Sequence, residues 1–302
     1  MKRVGIHLVL VALVSFLVLG VTLGGNAARA QSNGKPLFTV RPGTVNMAEG
    51  AVSYSRGGDQ SWMLRGGELL MSGDSITTAA GSRAEILLRP GAFLRMEENS
   101  SLTFFASVDR GLAIDMSKGS AIVEVVMPPG LFGPVLKVSR KDAALTIMQA
   151  GVYRFSAGPS ERLEANVYKG SVKAGNKILK DKVTISAAAS GFESTALKQA
   201  SQDTFGQWSQ TRSKELATAN KRIDKKVVVG MLGHTAFSTV WVLDSTLDCY
   251  TFLPGYNLSS PYGWNYPVYS GRYGNYSNDP QFRGDWWNGG LYSGPSVFTE
   301  RH

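Results

Sequence analysis

Cysteine and histidine are almost absent from this chain of 302 residues. Cys249 is the single cysteine, so no disulfide can form within the chain, and a lone cysteine is more often a small buried side chain than a reactive thiol. Histidine occurs only at His7, His234 and His302. One internal histidine and one cysteine cannot build a soft-ligand zinc or iron site. A Ser-His-Asp triad would need His234, and no Gly-x-Ser-x-Gly turn presents a serine to it.

Other catalytic patterns are missing as well. Glu97 and Glu98 are adjacent, so on a strand they would face opposite sides and could not act on one substrate. Asp74, Asp109 and Asp115 lie beside glycines or turns, where aspartate commonly bonds the backbone. A glycosidase pair remains open, but nothing singles one out. Phosphate-binding and dinucleotide-binding glycine motifs are absent. The sequence therefore predicts a non-enzymatic protein without catalytic residues, metal ligands or cofactors.

Charge is modest and slightly positive. Charged residues make up 18% of the chain, and the formal net charge is +9. Removing Lys2, Arg3 and Arg29 leaves 29 basic against 23 acidic residues, a net charge of +6. Because the excess is spread along the chain, the sequence favours an ordinary basic surface, with attraction to anionic lipid or glycan as the alternative.

The only long apolar run lies at the N-terminus. Lys2-Arg3 precedes an almost wholly apolar stretch from Val4 to Leu23, and Ala28-Arg29-Ala30 supplies the small residues that signal peptidase reads. Residues 1–30 are thus predicted to be a signal peptide, with an uncleaved membrane anchor as the alternative. Both predict an exported chain that faces a non-cytoplasmic space, and the family resemblance given below implies the periplasm or cell envelope. Residues 31–44 are predicted to be a linker.

Short bursts of alternating apolar and polar residues fill residues 45–190, separated by Gly, Pro, Asn and Asp. This is typical of strands joined by tight turns, and no helical pattern intervenes, which excludes a parallel α/β fold. An antiparallel all-β domain is therefore predicted, with Val45–Tyr54 as its first strand. Arg83–Leu88 and Ala92–Glu97 are predicted to form a hairpin, because Pro90-Gly91 suits a type II turn. The side chains expected in the core are Trp62, Leu64, Leu69, Leu70 and Ile76.

Further strands and one helix follow. The later predicted strands are Val135–Ser139, Ala143–Met148, Val152–Ala157, Arg162–Tyr168 and Val183–Ala187. Within residues 197–223, apolar residues recur every three or four positions, which predicts an amphipathic helix from about Ser201 to Arg222. Asp203 at its start and Lys221-Arg222 at its end suit the helix dipole. This helix would pack on the β domain or, alternatively, dock a partner.

The C-terminal region changes composition. Residues 224–269 are predicted to hold two short strands, around Val227–Val229 and Val240–Leu243, and a loop-rich segment that starts at Cys249. Residues 270–302, rich in Tyr, Trp and Gly, are predicted to be a disordered tail. Stacking of these aromatics on glycans is the alternative, whereas export and the shortage of cations argue against nucleic acid.

Several short motifs occur in an informative order. They are Gly73-Asp74, Ile76-Thr77-Thr78, Gly81-Ser82-Arg83-Ala84-Glu85 with Leu87, Pro90-Gly91, Arg95, Glu98-Asn99-Ser100-Ser101, Gly119-Ser120, Gly151–Phe155 and Val167–Val172. Together, from Val45 to Ala187, they resemble the FecR domain, the periplasmic domain of bacterial regulators that relay outer-membrane signals. The combination of Asp203, Phe205, Trp208 and Arg212 resembles a segment that follows this domain in some exported proteins.

The resemblance implies a twisted β-sandwich or a short solenoid-like stack, and binding to an envelope protein such as a receptor or regulator. Family members control a sigma factor through a cytoplasmic segment, for which Met1-Lys2-Arg3 leaves no room here, so direct sigma-factor control is not expected. The leading hypothesis is an exported, non-enzymatic protein-interaction module in envelope signalling. The alternative is a structural or glycan-binding envelope protein that uses its aromatic C-terminal segment.

Overall fold

The computed structural model describes residues 40–58, 60–107, 111–126, 135–198, 203–224, 239–254 and 257–267. All of them fall within one unit, Lys35–His302. The predicted signal peptide, most of the predicted linker, the predicted strand at 227–229, His234 and the predicted tail lie outside the described residues.

Sixteen strands in the described residues form one hydrogen-bonded network, because short alternating segments end at glycine-rich turns. They are β1 Val45–Glu49, β2 Val52–Ser55, β3 Ser61–Met63, β4 Ser75–Thr78, β5 Arg83–Leu87, β6 Ala92–Met96, β7 Ser101–Ser107, β8 Gly111–Val125, β9 Leu136–Arg140, β10 Ala143–Ile147, β11 Gly151–Ala157, β12 Leu163–Lys169, β13 Ser171–Ala174, β14 Lys177–Lys180, β15 Val183–Ala188 and β16 Gly191–Ala196.

The long strand β8 belongs to two sheets. Its first half lies in the front sheet, with strand order β3-β2-β4-β7-β8-β9-β10-β13-β14, and its second half in the back sheet, with order β1-β5-β6-β8-β11-β12-β15-β16. Every other pairing within these two sheets is antiparallel, but β8 and β9 run parallel, which corrects the expectation of a purely antiparallel fold. Strand β8 ends in the back sheet, and β9 begins in the front sheet with Lys137 beside Ala113 near the start of β8. Strand β9 therefore runs in the same direction as β8.

One apolar core fills the space between the sheets. It takes Ile76 and Phe104 from the front sheet and Leu94, Val123 and Phe155 from the back sheet, all fully buried. This arrangement confirms the predicted all-β sandwich. The β5–β6 hairpin is confirmed too. Gly91 has φ 78°, and the Ala92 amide donates a hydrogen bond to the Arg89 carbonyl at 2.7 Å.

Three details differ from the sequence-based expectations. The single strand predicted over Val45–Tyr54 is two strands, because Gly50 turns the chain with φ 76°. Trp62 lies on a rim strand and is 40% exposed, and Leu69 is half-buried, whereas Leu64, Leu70 and Ile76 are buried as expected. Strands β3, β14 and β16 were not predicted.

One helix, α1 (Thr204–Arg222), covers the outer face of the back sheet. The Gly206 amide donates to the Asp203 carboxylate at 2.9 Å, which caps the first turn. Phe205, Arg212 and Leu216 are buried. The predicted helix is therefore confirmed, and it packs on the sandwich. Within the described part of the chain, no helix combines the length and the hydropathy needed to cross a membrane.

A hairpin of β17 (Thr239–Asp244) and β18 (Cys249–Pro254) completes this outer layer beside α1, followed by the short pair β19 (Leu258–Ser259) and β20 (Asn265–Tyr266). The loop-rich segment expected from Cys249 onwards therefore begins with a fully buried strand. The reason is aromatic packing: the Phe252 ring lies 6.3 Å from Phe93 and 4.4 Å from Tyr266, measured between ring centroids.

Candidate functional site

The two sheets of the sandwich end in four edge strands, and open edges are where a sheet can bind another chain. The outer side of β1 is occupied, because the Gly67 amide donates to the Val45 carbonyl at 2.7 Å and the Val45 amide donates to the Glu68 carbonyl at 2.8 Å. Strand β14 carries Lys177 and Lys180, and lysine commonly protects edges. Strands β3 and β16 remain as uncovered edges among the described residues.

The edge at β3 is short, uncharged and apolar. The side chains of Trp62 and Met63 are 40% and 56% exposed. The Leu64 amide donates to Val52, and Trp62 is directly opposite Tyr54. Since hydrogen-bonded pairs alternate along antiparallel strands, the N–H and C=O groups of Ser61 and Met63 point away from β2. They offer hydrogen bonds to an added strand.

By contrast, the edge at β16 exposes Glu193 and small or polar side chains, and its one aromatic residue, Phe192, packs against the core. Edge strand β3 therefore differs from β16 in the large apolar side chains that it presents to solvent.

Tyr54 contacts both Trp62 and Arg56 beside this edge. The Tyr54 and Trp62 ring centroids are 5.6 Å apart, and the Arg56 guanidinium lies 5.5 Å from the Tyr54 centroid. Arg56 is held in place by two hydrogen bonds to Asp74, at 2.8 and 2.7 Å. Trp, Tyr and Arg are the residue types that dominate the binding energy of protein interfaces. We call Tyr54, Arg56, Trp62 and Met63 the β3 patch.

The Asp74 carboxylate organises the base of the β3 patch. Its side chain is fully buried and also accepts a hydrogen bond from the Met71 amide at 2.7 Å. Burial alone would raise the pKa of Asp74, but the hydrogen bonds from Arg56 and Met71 lower this pKa below its ordinary value. Asp74 is thus ionised at neutral pH, and Arg56 is oriented before any partner binds.

A second polar group lies on the outer face of the back sheet, beneath α1. The fully buried Arg95 guanidinium donates to Glu85 and Glu124, each at 2.8 Å. Arg212 from α1 donates to the other oxygen of Glu85 at 3.1 Å. Glu85 in β5 is directly opposite Arg95 in β6, and Glu124 in β8 is diagonal to Arg95. Neighbouring side chains in these positions share one face of the sheet, which here is the face that α1 covers. We call Glu85, Arg95, Glu124 and Arg212 the ionic cluster.

The geometry of the ionic cluster serves to hold the helix. Ser209 accepts from Arg95 at 3.0 Å, and Ser213 donates to Glu124 at 2.6 Å, so α1 meets the sheet through polar groups. Burial alone would raise the pKa of Glu85, but Arg212, Arg95 and the Asn46 amide lower it. The pKa of Arg95 is raised: burial opposes its charge, but Glu124 and Glu85 favour it more. All four side chains are buried and paired, which fits a structural role.

The acidic residues considered from the sequence are not brought together. Glu97 accepts from Arg154 at 2.8 Å, and Glu98 accepts from the Gly81 amide. Asp115 accepts from Ser139 at 2.9 Å, and Asp109 lies outside the described residues. Across the described ranges, no group of three or more His, Cys, Asp or Glu residues could hold a metal ion.

Cys249 is buried in β18, and burial raises the pKa of its thiol to about 11. The described aromatics of the C-terminal segment are largely structural as well. Tyr250, Phe252 and Tyr266 are buried in the cluster with Phe93, so they offer no surface for glycan stacking.

The sequence did not lead to either the β3 patch or the ionic cluster. Trp62 was expected in the core, although its neighbours Ser61 and Met63 and the nearby Gly57-Gly58 pair indicate a short rim strand. Arg95 and Glu85 were noted only as motif residues. Charged residues at alternate positions within apolar strands were the available signal for a covered polar face.

Comparison with known proteins places part of the chain in a family. Residues 74–173 match the family model described as FecR protein, which is 173 − 74 + 1 = 100 of the 302 residues. The chain therefore contains a FecR domain, as its sequence resemblance implied. No curated protein matches the chain.

Two solved structures are similar at low identity, both described as "a putative anti-sigma factor from Parabacteroides distasonis ATCC 8503". The first is 15% identical, with 40% of this chain and 59% of that chain covered, and the second is 13% identical, with 60% and 84% covered. The TM-score is 0.33 for each, which is too low to transfer a function.

Proposed function

We propose that this chain is a non-enzymatic, exported protein-interaction module of the bacterial cell envelope that takes part in signalling. The FecR domain supports the envelope setting. The observation that carries the binding role is the β3 patch, where an open, uncharged edge lies beside the exposed Trp62 side chain. A partner strand would pair with Ser61 and Met63 and bury Trp62 against its own apolar side chains.

The proposed domain organisation is a signal peptide at 1–30, a linker at 31–44, a FecR-like domain at 45–190, a helical segment at 197–223, and a C-terminal part in two pieces, 224–269 and 270–302. The helix and the described part of 224–269 would act as a fixed cover on the back sheet. Binding is therefore assigned to the opposite rim.

Site-specific photocrosslinking in cells tests this proposal. A photoreactive residue at Met63 is expected to give one dominant adduct with an envelope protein, identified by mass spectrometry. The substitution Trp62→Ala is expected to abolish this adduct, because it removes the apolar anchor. A photoreactive residue at the exposed Glu164 is the matched control on the back sheet. Equal adducts from both positions, or an adduct that survives Trp62→Ala, would reject the β3 patch as the binding site.

A further inference from the structure

The front sheet concentrates lysines on one part of its outer face. Lys137 in β9 is directly opposite Thr146 in β10, which is opposite Lys173 in β13, which is opposite Ile178 in β14. Directly opposed residues share a face, so this row lies on the solvent side of the sheet. Three strand spacings give it a width of about 14 Å. Lys180 joins the same face two residues beyond Ile178.

These lysines have no acidic partners. Within the described residues, Lys137, Lys173, Lys177 and Lys180 form no ion pair, whereas Arg56, Arg154, Arg162 and Arg222 elsewhere on the surface each pair with a carboxylate.

Two carboxylates on neighbouring segments bond to neutral groups instead of to these lysines. Asp115 accepts from Ser139 at 2.9 Å, and Asp181 accepts from the Gly170 amide at 2.5 Å. The lysine ammonium groups of the row are thus available to a ligand.

Edge protection explains only some of these lysines. Lys177 and Lys180 lie on edge strand β14, where lysine discourages pairing with other chains. Lys137 and Lys173 lie on interior strands and have no such role. Ile178, at the edge-strand end of the row, is 55% exposed. The row therefore combines lysines that form no ion pair with one exposed apolar side chain, a combination that suits a ligand surface with both negative charge and apolar groups.

We propose that this lysine face, formed by Lys137, Lys173, Lys180 and Ile178, binds the surface of an anionic lipid bilayer. Lysines near such a surface are attracted by its negative potential, and Ile178 would enter the headgroup layer. All the cations are lysines, which are compact point charges without the forked geometry that arginine uses for one carboxylate. This suits a surface of many phosphates better than a single acidic peptide. The proposal goes beyond protein binding at the β3 patch and uses a different surface.

Vesicle co-sedimentation of the full chain tests the proposal. The probes are vesicles of phosphatidylcholine alone and of phosphatidylcholine with an equal part of phosphatidylglycerol, at low and high salt. Because the apolar residues 4–23 are expected to associate with either lipid, the readout is the difference between the two lipids. Each lysine strengthens this difference about fivefold, so Lys137→Gln with Lys173→Gln is expected to reduce it about 30-fold.

The matched control is Lys214→Gln with Lys221→Gln, which removes two lysines from α1 on the other side of the sandwich and is expected to keep wild-type binding. Ile178→Ser is expected to weaken binding while retaining its dependence on phosphatidylglycerol. Circular dichroism verifies that each variant folds.

Three results would overturn the proposal. The first is equal binding to both lipids, and the second is an equal loss in the two double variants, which would indicate diffuse charge. The third is an unchanged affinity in Ile178→Ser together with equally tight, Lys173-dependent binding of soluble polyglutamate, which would indicate an acidic protein partner.

Discussion

The two outer faces of the sandwich differ in the burial and pairing of their charged side chains. On the back sheet, Glu85, Arg95 and Glu124 are fully buried under α1 and pair with one another and with Arg212. On the front sheet, Lys137 and Lys173 are exposed and unpaired in the described residues. A charge that is buried must be paired, because an isolated ion loses its hydration, whereas an exposed charge stays hydrated and can attract a ligand. The back face is thus suited to structure and the front face to binding.

The largest expected effect comes from breaking the ionic cluster. Arg95→Met leaves two buried carboxylates without their main cation, which should lower the free energy of unfolding by about 3–5 kcal/mol. Urea unfolding at pH 7, followed by circular dichroism, measures the loss.

Lys173→Met is the matched control for Arg95→Met, since it also removes one cation from a strand but from the exposed face. Its effect should stay within about 0.5 kcal/mol. Similar losses in the two variants would remove the contrast between the faces.

Acid should act next on two buried carboxylates, Glu85 in the ionic cluster and Asp74 at the base of the β3 patch. Glu85 and Asp74 have pKa values below their ordinary values of 4.5 and 3.8. When pH falls, the unfolded chain therefore takes up protons before the folded one, so the stability that these groups contribute is complete above about pH 4.5 and is lost below it.

Urea unfolding at pH 7, 5 and 3 checks this, with decreasing stability expected only at the lowest value. Glu85→Gln is expected to have a smaller loss between pH 5 and 3 than the wild type. A flat profile in the wild type would show that these ion pairs add no stability to the fold.

The smallest expected effect concerns the start of α1. Asp203→Ala removes both the cap of the Gly206 amide and the ion pair with Arg154 at 2.5 Å, and should cost about 1 kcal/mol. Asp203→Asn keeps a capping oxygen but loses the charge, so it should cost less, since an exposed ion pair contributes little. Thermal unfolding compares the two variants. An equal loss in the two variants would assign the effect to the ion pair and not to the cap.

The sequence predicted features that depend on local patterns. Strand alternation, the Pro90-Gly91 turn and the spacing of Phe205 and Leu216 in α1 are all encoded within a few residues. The cover on the back sheet could not be derived in this way, because Arg95 meets Arg212 through Glu85 only after the helix has docked across the sheet. For the same reason, Trp62 was misplaced, since a residue's distance from the rim of a sheet depends on strand order.

The most direct test of the contrast between the two faces is amide hydrogen–deuterium exchange on the full chain. The amides of α1 around Leu216 are predicted to exchange as slowly as those of β6, through global unfolding, while the Ser61 and Met63 amides on the open edge of β3 exchange rapidly. Exchange in α1 that is orders of magnitude faster than in β6 would contradict the account, because it would show that the helix opens independently of the sandwich.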